Sequence, residues 1–371
     1  MTTEIAGWGF ALPTGRVTQV EAAEHAVAMW GEQAGLGSTI PALYRRTGVK
    51  SRHTVIVEEH GEGEIPQSFY QPAVDADDRG PTTAARMAFY EQAALGLAER
   101  AAKEALEAAA VRADGITHLV TVSCSGFEAP GVDIGLVTRL GLNAGVTRTN
   151  VGFMGCHGAF NGLRVAQAFA ASNPKARVLV VCIELCSLHQ QYSSDPQQIV
   201  ANALFADGAA AIVVQAGNQK SHWGLLDQQS LILADTADMM SWRIRDNGFE
   251  MTLSPSVPDL IRRDLRGWLE GWLPKLGLSL ADIRSYAVHP GGPRILNAVV
   301  EGLGLPGEAL DASRSILSDY GNMSSPTILF ILNRLRATGA ETPCLALAFG
   351  PGLTIEAALF AGPRVNGAAR A

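Results

Sequence analysis

Two largely apolar runs, Arg177 to Leu185 (RVLVVCIEL) and Ala209 to Gln215 (AAAIVVQ), have the length of strands and leave little face for water. Such strands persist only in a sheet covered on both sides. The covering elements are legible around them. Residues 82–111, with Pro81 and Thr82 at the start and an alanine-rich body, predict a long helix. Ile116 to Val122 predicts another buried strand, and the segment after Cys156 a helix to about Ser172. Strands alternating with helices predict a largely parallel sheet.

The second half repeats this grammar in different words. Helices are expected over Pro258–Leu276, Pro293–Leu303 and Ser324–Arg336, and strands at Ser285–His289, Cys344–Phe349 and Thr354–Leu359. No literal sequence repeat links the halves. The length of 371 residues suits two ordinary domains or one large double domain. A polar stretch at Gly217 to Ser221 is the expected boundary, dividing residues 1–219 from 220–371.

Bulk properties exclude several classes. A net charge of −7 argues against a general binder of nucleic acid or membrane surface. No apolar run approaches the roughly eighteen residues of a membrane span, and no leader pattern opens the chain. The five cysteines (124, 156, 182, 186 and 344) are odd in number and sit in apolar segments, which fits reduced thiols in a cytoplasm. No phosphate-cradling loop, dinucleotide fingerprint or metal-ligand cluster is present, so neither metal nor cofactor is expected.

The chemistry concentrates at Cys156, in Val-Gly-Phe-Met-Gly-Cys-His-Gly-Ala-Phe-Asn-Gly. A thiol between small residues at a strand-to-helix junction meets the positive end of the helix, a setting that favours the thiolate. Alone, a cysteine is more often a small buried hydrophobe. Two further segments change the balance: Tyr-Ala-Val-His289-Pro-Gly-Gly-Pro and Leu-Ser-Asp-Tyr-Gly-Asn322-Met-Ser324-Ser. Singly, His289 reads as a structural histidine and Asn322 as a turn residue. Jointly, the three supply a nucleophile, an imidazole and an amide, which also fits a cysteine hydrolase.

At these segments the chain resembles the type III polyketide synthases, the chalcone synthase-like branch of the thiolase superfamily. The resemblance continues in Leu-Phe205-Ala-Asp-Gly-Ala and Phe349-Gly-Pro-Gly-Leu-Thr, and its spacing holds from about Arg45 to Leu359. It implies an α/β fold, a duplicated αβαβα double domain of five layers, with Cys156 in the first half and His289 and Asn322 in the second. It also implies decarboxylative condensation of malonyl-CoA units onto an acyl-CoA starter held on Cys156, then cyclisation to an aromatic or pyrone product. A single-condensation enzyme like ketoacyl synthase III is the alternative, and a catalytically idle scaffold of the same fold is a third reading.

The same resemblance assigns further positions. Phe205 falls on the gatekeeper between CoA tunnel and reaction cavity, and Met251, in Gly-Phe-Glu-Met-Thr-Leu, on the second gatekeeper. Cys124, Cys186, His189, Trp242 and Ser324 are expected to line the cavity, with Trp242 standing where a glycine is usual. Arg46 and Lys50 match basic positions that contact CoA. The implied assembly is a homodimer, with Ala129-Pro130 as a cis peptide near the two-fold axis and Ala129 beside the partner's cavity.

Overall fold

The computed structural model describes residues 3–57, 66–217 and 223–362. Its first half runs β1 (Thr3–Ala11), β2 (Arg16–Thr18), α1 (Gln19–Ala26), α2 (Thr39–Arg45), β3 (Ser51–His53), α3 (Thr83–Ala108), β4 (His118–Ser123), α4 (Val132–Leu140), β5 (Thr147–Gly152), α5 (Gly158–Ser172), β6 (Arg177–Leu185), α6 (Pro196–Leu204) and β7 (Asp207–Ala216). The second runs β8 (Gly224–Ile232), β9 (Met240–Arg245), β10 (Gly248–Leu253), α7 (Val257–Trp272), β11 (Ser285–Val288), α8 (Pro293–Leu303), α9 (Asp311–Tyr320), α10 (Ser325–Ala337), β12 (Cys344–Gly350) and β13 (Thr354–Ala361). Past Gly217 the expected boundary, like residues 58–65, lies outside the described residues.

Period-two alternation explains the layers. Along β6, Val178, Val180 and Cys182 face one core while Leu179, Val181 and Ile183 face another. Along β12, Cys344, Ala346 and Ala348 face the first of these cores, and Leu345, Leu347 and Phe349 a third. The shared core holds α5 and α10, which pack against each other and against strands of both halves. Outside lie α3 and α4 on one flank and α7 and α8 on the other. The five-layered duplicated arrangement expected from the resemblance is therefore present.

Strand direction differs from the sequence reading. The main sheet has the order β11-β12-β13-β8-β1-β7-β6-β4-β5, and only β11–β12, β4–β6 and β4–β5 are parallel. The remaining neighbours are antiparallel. The reason is local: three residues join β12 to β13, too few for the crossover that a parallel pair needs. Among the described residues the two halves join edge to edge through β1 and β8 at Thr3–Leu225 and Glu4–Gly224.

The long helix forms as expected, with the Thr82 side chain accepting from the Ala85 N–H at 3.3 Å as its N-cap. Its alanine face meets the glycines of β1. A Cβ at Gly9 would lie 2.1 Å from the Ala101 carbonyl oxygen and 2.4 Å from the Ala105 nitrogen. Those are backbone atoms and cannot turn aside. Gly9→Ala is expected to cost about 3 kcal/mol, the upper part of the overpacking range. Gly96→Ala, on α3 with nothing within 4 Å of the added carbon, is expected to stabilise by about 0.5–1 kcal/mol. Chemical denaturation of both variants checks the pair, and equal stability in the two would show that helix and strand can separate.

Candidate active site

After β5 the chain turns through Phe153 and Gly155, at φ of 60° and 80°, before α5 begins. Gly155 is required twice over. Its φ suits glycine, and a Cβ there would lie 2.6 Å from Pro351 of the Gly-Pro-Gly loop. The turn leaves Cys156 buried just ahead of α5, with His157 as the N-cap residue.

Asn322 arrives from the other half. Its N–H donates to the Leu204 carbonyl at 2.8 Å, and its own carbonyl accepts from the Ala206 N–H at 2.9 Å, so it pairs with Phe205 as an isolated parallel bridge. Its Oδ1 accepts from the Ser324 N–H at 2.8 Å, which fixes the amide and turns Nδ2 toward Cys156 Sγ at 4.0 Å. His289 follows β11 and extends the ladder through its N–H to the Leu347 carbonyl at 2.8 Å. Its ring is buried, and neither ring nitrogen has a hydrogen-bond partner among the described residues.

Three adjoining cavities connect these groups. Cys156, His289, Asn322, Phe205 and Met251 line the first. Cys156 also lines a second, with Cys124, Cys186, Glu184, Ser324 and Trp242. Cys186, Phe205 and Trp242 face a third as well, which contains His189. The structure thus gathers most of the expected site residues around the thiol. His189 sits one chamber away, where Nε2 donates to the Ser125 carbonyl at 2.6 Å and Nδ1 accepts from the Phe249 N–H at 3.1 Å. Ala129, whose bond to Pro130 is cis, lies apart in a groove with Tyr90, Phe127 and Arg148. Arg46 and Lys50 are exposed. Val49 beside them packs on Leu204 and Val200, which line the first cavity.

Burial acts against the charged form of both groups. Burial pushes the Cys156 thiol up to about 11, against the opposing pull of hydrogen bonds from Ser324 and Asn322. Burial pulls His289 down to about 3, with His157 nearby adding to the fall. A proton passed from Cys156 to His289 would create opposite charges together, and these attract more strongly in a low-dielectric pocket than in water.

Sequence reasoning missed Glu184. It is fully buried, and burial raises its carboxyl to about 7. It accepts from the Cys124 N–H at 2.9 Å and from the Ser125 and Ser325 hydroxyls at 2.7 Å each. The signal was available: one acidic residue inside an otherwise apolar strand is an anomaly. Cys124 has a definite local role too, its sulfur accepting the Gly155 N–H at 3.0 Å and so bracing the loop that carries Cys156.

Comparison with known proteins places this geometry. The chain matches the profile of chalcone and stilbene synthases, N-terminal domain, over residues 3–218 and that of the C-terminal domain over residues 225–362. It is 32% identical to an alpha-pyrone synthesis polyketide synthase-like protein, Pks18, of Mycobacterium tuberculosis, across 96% of this chain and 90% of that one. It is 33% identical to a 1,3,6,8-tetrahydroxynaphthalene synthase of Streptomyces peucetius, across 95% and 92%. The crystal structure of PKS-I from the brown alga Ectocarpus siliculosus superposes with a TM-score of 0.90 at 31% identity, covering 97% of this chain and 98% of that one.

Whether His289 ionises the thiol is measurable. His289→Gln is expected to slow iodoacetamide alkylation of Cys156 at pH 7 by at least about tenfold, since burial pushes the unassisted thiol up to about 11. The variant's rate should climb as pH approaches that value. An unchanged neutral-pH rate would show that His289 does not ionise the thiol.

Proposed function

Because this chain belongs to the chalcone and stilbene synthase family and is a type III polyketide synthase, we propose that Cys156 carries the acyl starter while His289 and Asn322 act on malonyl-CoA. The Cys156 thiolate attacks the carbonyl of an acyl-CoA, the tetrahedral adduct collapses, and CoA leaves as a thiolate that takes up a proton. Malonyl-CoA then enters the first cavity. Its carboxylate departs as CO2, the electrons of the broken C–C bond pass into an enolate, and His289 and the Asn322 amide donate hydrogen bonds to the thioester oxygen that gains charge. The enolate carbon attacks the Cys156 thioester, forms the new C–C bond and frees the thiolate. Repeated extension and ring closure give a pyrone or aromatic product.

One observation carries this reading: a buried imidazole whose nitrogens have no partner among the described residues and an amide whose oxygen is already engaged share one cavity with the thiol. Phe205, between the cavities, and Met251 act as the gate, and Arg46 and Lys50 take the CoA phosphates outside it. The enzyme needs no cofactor, since decarboxylation supplies the carbanion, and five buried free thiols suit a cytoplasmic setting.

We also read the enzyme as a homodimer. Strand β5 is one of the two edges of the main sheet, and Met154, two residues past it, and Phe127, which lies against Gly152 of it, expose apolar side chains. A monomer at micromolar concentration in sedimentation would remove that reading.

Division of labour gives the decisive test. Cys156→Ala is expected to abolish extension. Asn322→Ala is expected to lower malonyl-CoA decarboxylation by about 10²–10³ while a labelled starter still acylates Cys156. A variant that decarboxylates normally but cannot be acylated would overturn the assignment of Asn322.

A further inference from the structure

Ser324 stands directly ahead of α10 with φ of 56° and ψ of −127°. Those angles belong to the first central position of a type II′ turn, which glycine occupies without cost. For a residue with a Cβ such a backbone is strained and persists only where its surroundings hold it. They do so here. The Ser324 N–H donates to Asn322 Oδ1 at 2.8 Å, the Ser324 carbonyl accepts from the Thr327 N–H at 3.1 Å, and the Thr327 hydroxyl accepts from the Met323 N–H at 2.9 Å. Glycine would suit this turn better, yet the chain carries serine.

The usual reason for a serine ahead of a helix is absent. An N-cap serine accepts with its hydroxyl from a backbone N–H of the first turn, and the Ser324 side chain makes no such bond. The next serine is spent elsewhere, its hydroxyl donating to Glu184 Oε1 at 2.7 Å. Ser324 is buried and lines the second cavity with Cys156, and its hydroxyl hydrogen-bonds the Cys156 sulfur. Asn322 Nδ2 lies 4.0 Å from the same sulfur, a long contact. During decarboxylation that amide belongs to the malonyl thioester oxygen, which leaves Ser324 as the donor that stays with the sulfur.

We propose that Ser324 is a further catalytic residue, whose hydroxyl donates to the Cys156 sulfur whenever that atom carries negative charge, and that the strained backbone is kept because it places the hydroxyl there. Hydrogen bonds to an ionised acceptor are among the stronger ones. In the free enzyme this bond favours the thiolate that attacks the acyl-CoA. In each condensation the enolate carbon bonds to the carbonyl carbon of the Cys156 thioester, the adduct collapses, and the electrons of the broken C–S bond pass to sulfur. The hydroxyl stabilises that charge and transfers no proton. The leaving-group role rests on Cys156 as the acyl carrier, whereas the free-enzyme role does not.

Two variants separate hydroxyl from backbone. Ser324→Ala removes the hydroxyl and keeps the Cβ, while Ser324→Gly removes the hydroxyl and relieves the turn. The Gly variant is expected to have the higher denaturation midpoint of the two, and an equal or lower one would show that the turn stores no strain and remove that half of the proposal. Alkylation of Cys156 by iodoacetamide, followed on the peptide that contains it, is expected to slow about tenfold at pH 7 in both, with the midpoint of the rate–pH curve raised by about one pH unit. That midpoint does not depend on how easily the reagent enters. A midpoint unchanged in both folded variants overturns the proposal, and a fall in kcat beside an unmoved midpoint does so too, since Ser324 would then touch only substrate. A shift in the Ala variant that the Gly variant lacks also overturns it, because the turn and not the hydroxyl would act on the thiol. If a labelled acyl-CoA leaves Cys156 of the wild-type enzyme unmodified, the acyl-carrier reading and the leaving-group role fall, and the alkylation curve still decides the free-enzyme role.

Discussion

The packing of α5 against α10 between the two halves is the constraint from which the site follows. Cys156 stands two residues ahead of one helix and Ser324 directly ahead of the other, so helices of different halves begin at the same cavity. Both direct the positive ends of their dipoles at the place where a thiolate and an enolate would form. The Asn322–Cys156 contact and the Ser325–Glu184 hydrogen bond cross this joint. Neither half holds a complete site alone.

Rigidity of the walls comes from buried polar groups that would be costly if unpaired. Burial raises the Asp207 carboxyl to about 6, and the donors that oppose the shift tie it to the strand β6–helix α6 connection: the Ser187 N–H at 2.7 Å and the Ser187 hydroxyl at 2.5 Å. It also accepts the Val55 N–H at 2.8 Å. Arg86, fully buried, spends Nη1 on Tyr70, Leu188 and Gln190. The short turn that presents Cys186 and His189 is thus held from two sides by ionisable side chains. A group whose loss strands another buried charge is effectively fixed in place.

Much of this was legible in the sequence, and the exceptions have physical causes. The apolar runs gave strands β6 and β7 because a strand buried on both faces needs no alternation, and α8 was read to the residue since Pro293 and Gly304 punctuate it. Strand direction was not legible, because direction depends on connections and partners rather than on local pattern. Helices α1, α2 and α6 were missed as short elements of seven to nine residues, yet they build the third cavity. Cys156, His289 and Asn322 were found through motif context. The burial of the thiol was not, since burial is a property of the assembled fold.

The hairpin of β9 and β10 shows how one small element sets the shape of the site. It stands outside the main sheet, and Trp242 and Met251 are direct cross-strand partners on it. The stack of Phe249 on His189, with ring centroids 4.0 Å apart, and the hydrogen bond from the Gly248 N–H to the Thr83 hydroxyl at 2.7 Å anchor it. Trp242 is further tied by its indole N–H to the Cys124 carbonyl at 2.8 Å, so the wall between the second and third cavities is fixed at both ends. Met251 has no polar atom to tie and three rotatable bonds. The adjustable part of the cavity wall therefore lies at Met251, and the fixed part at Trp242.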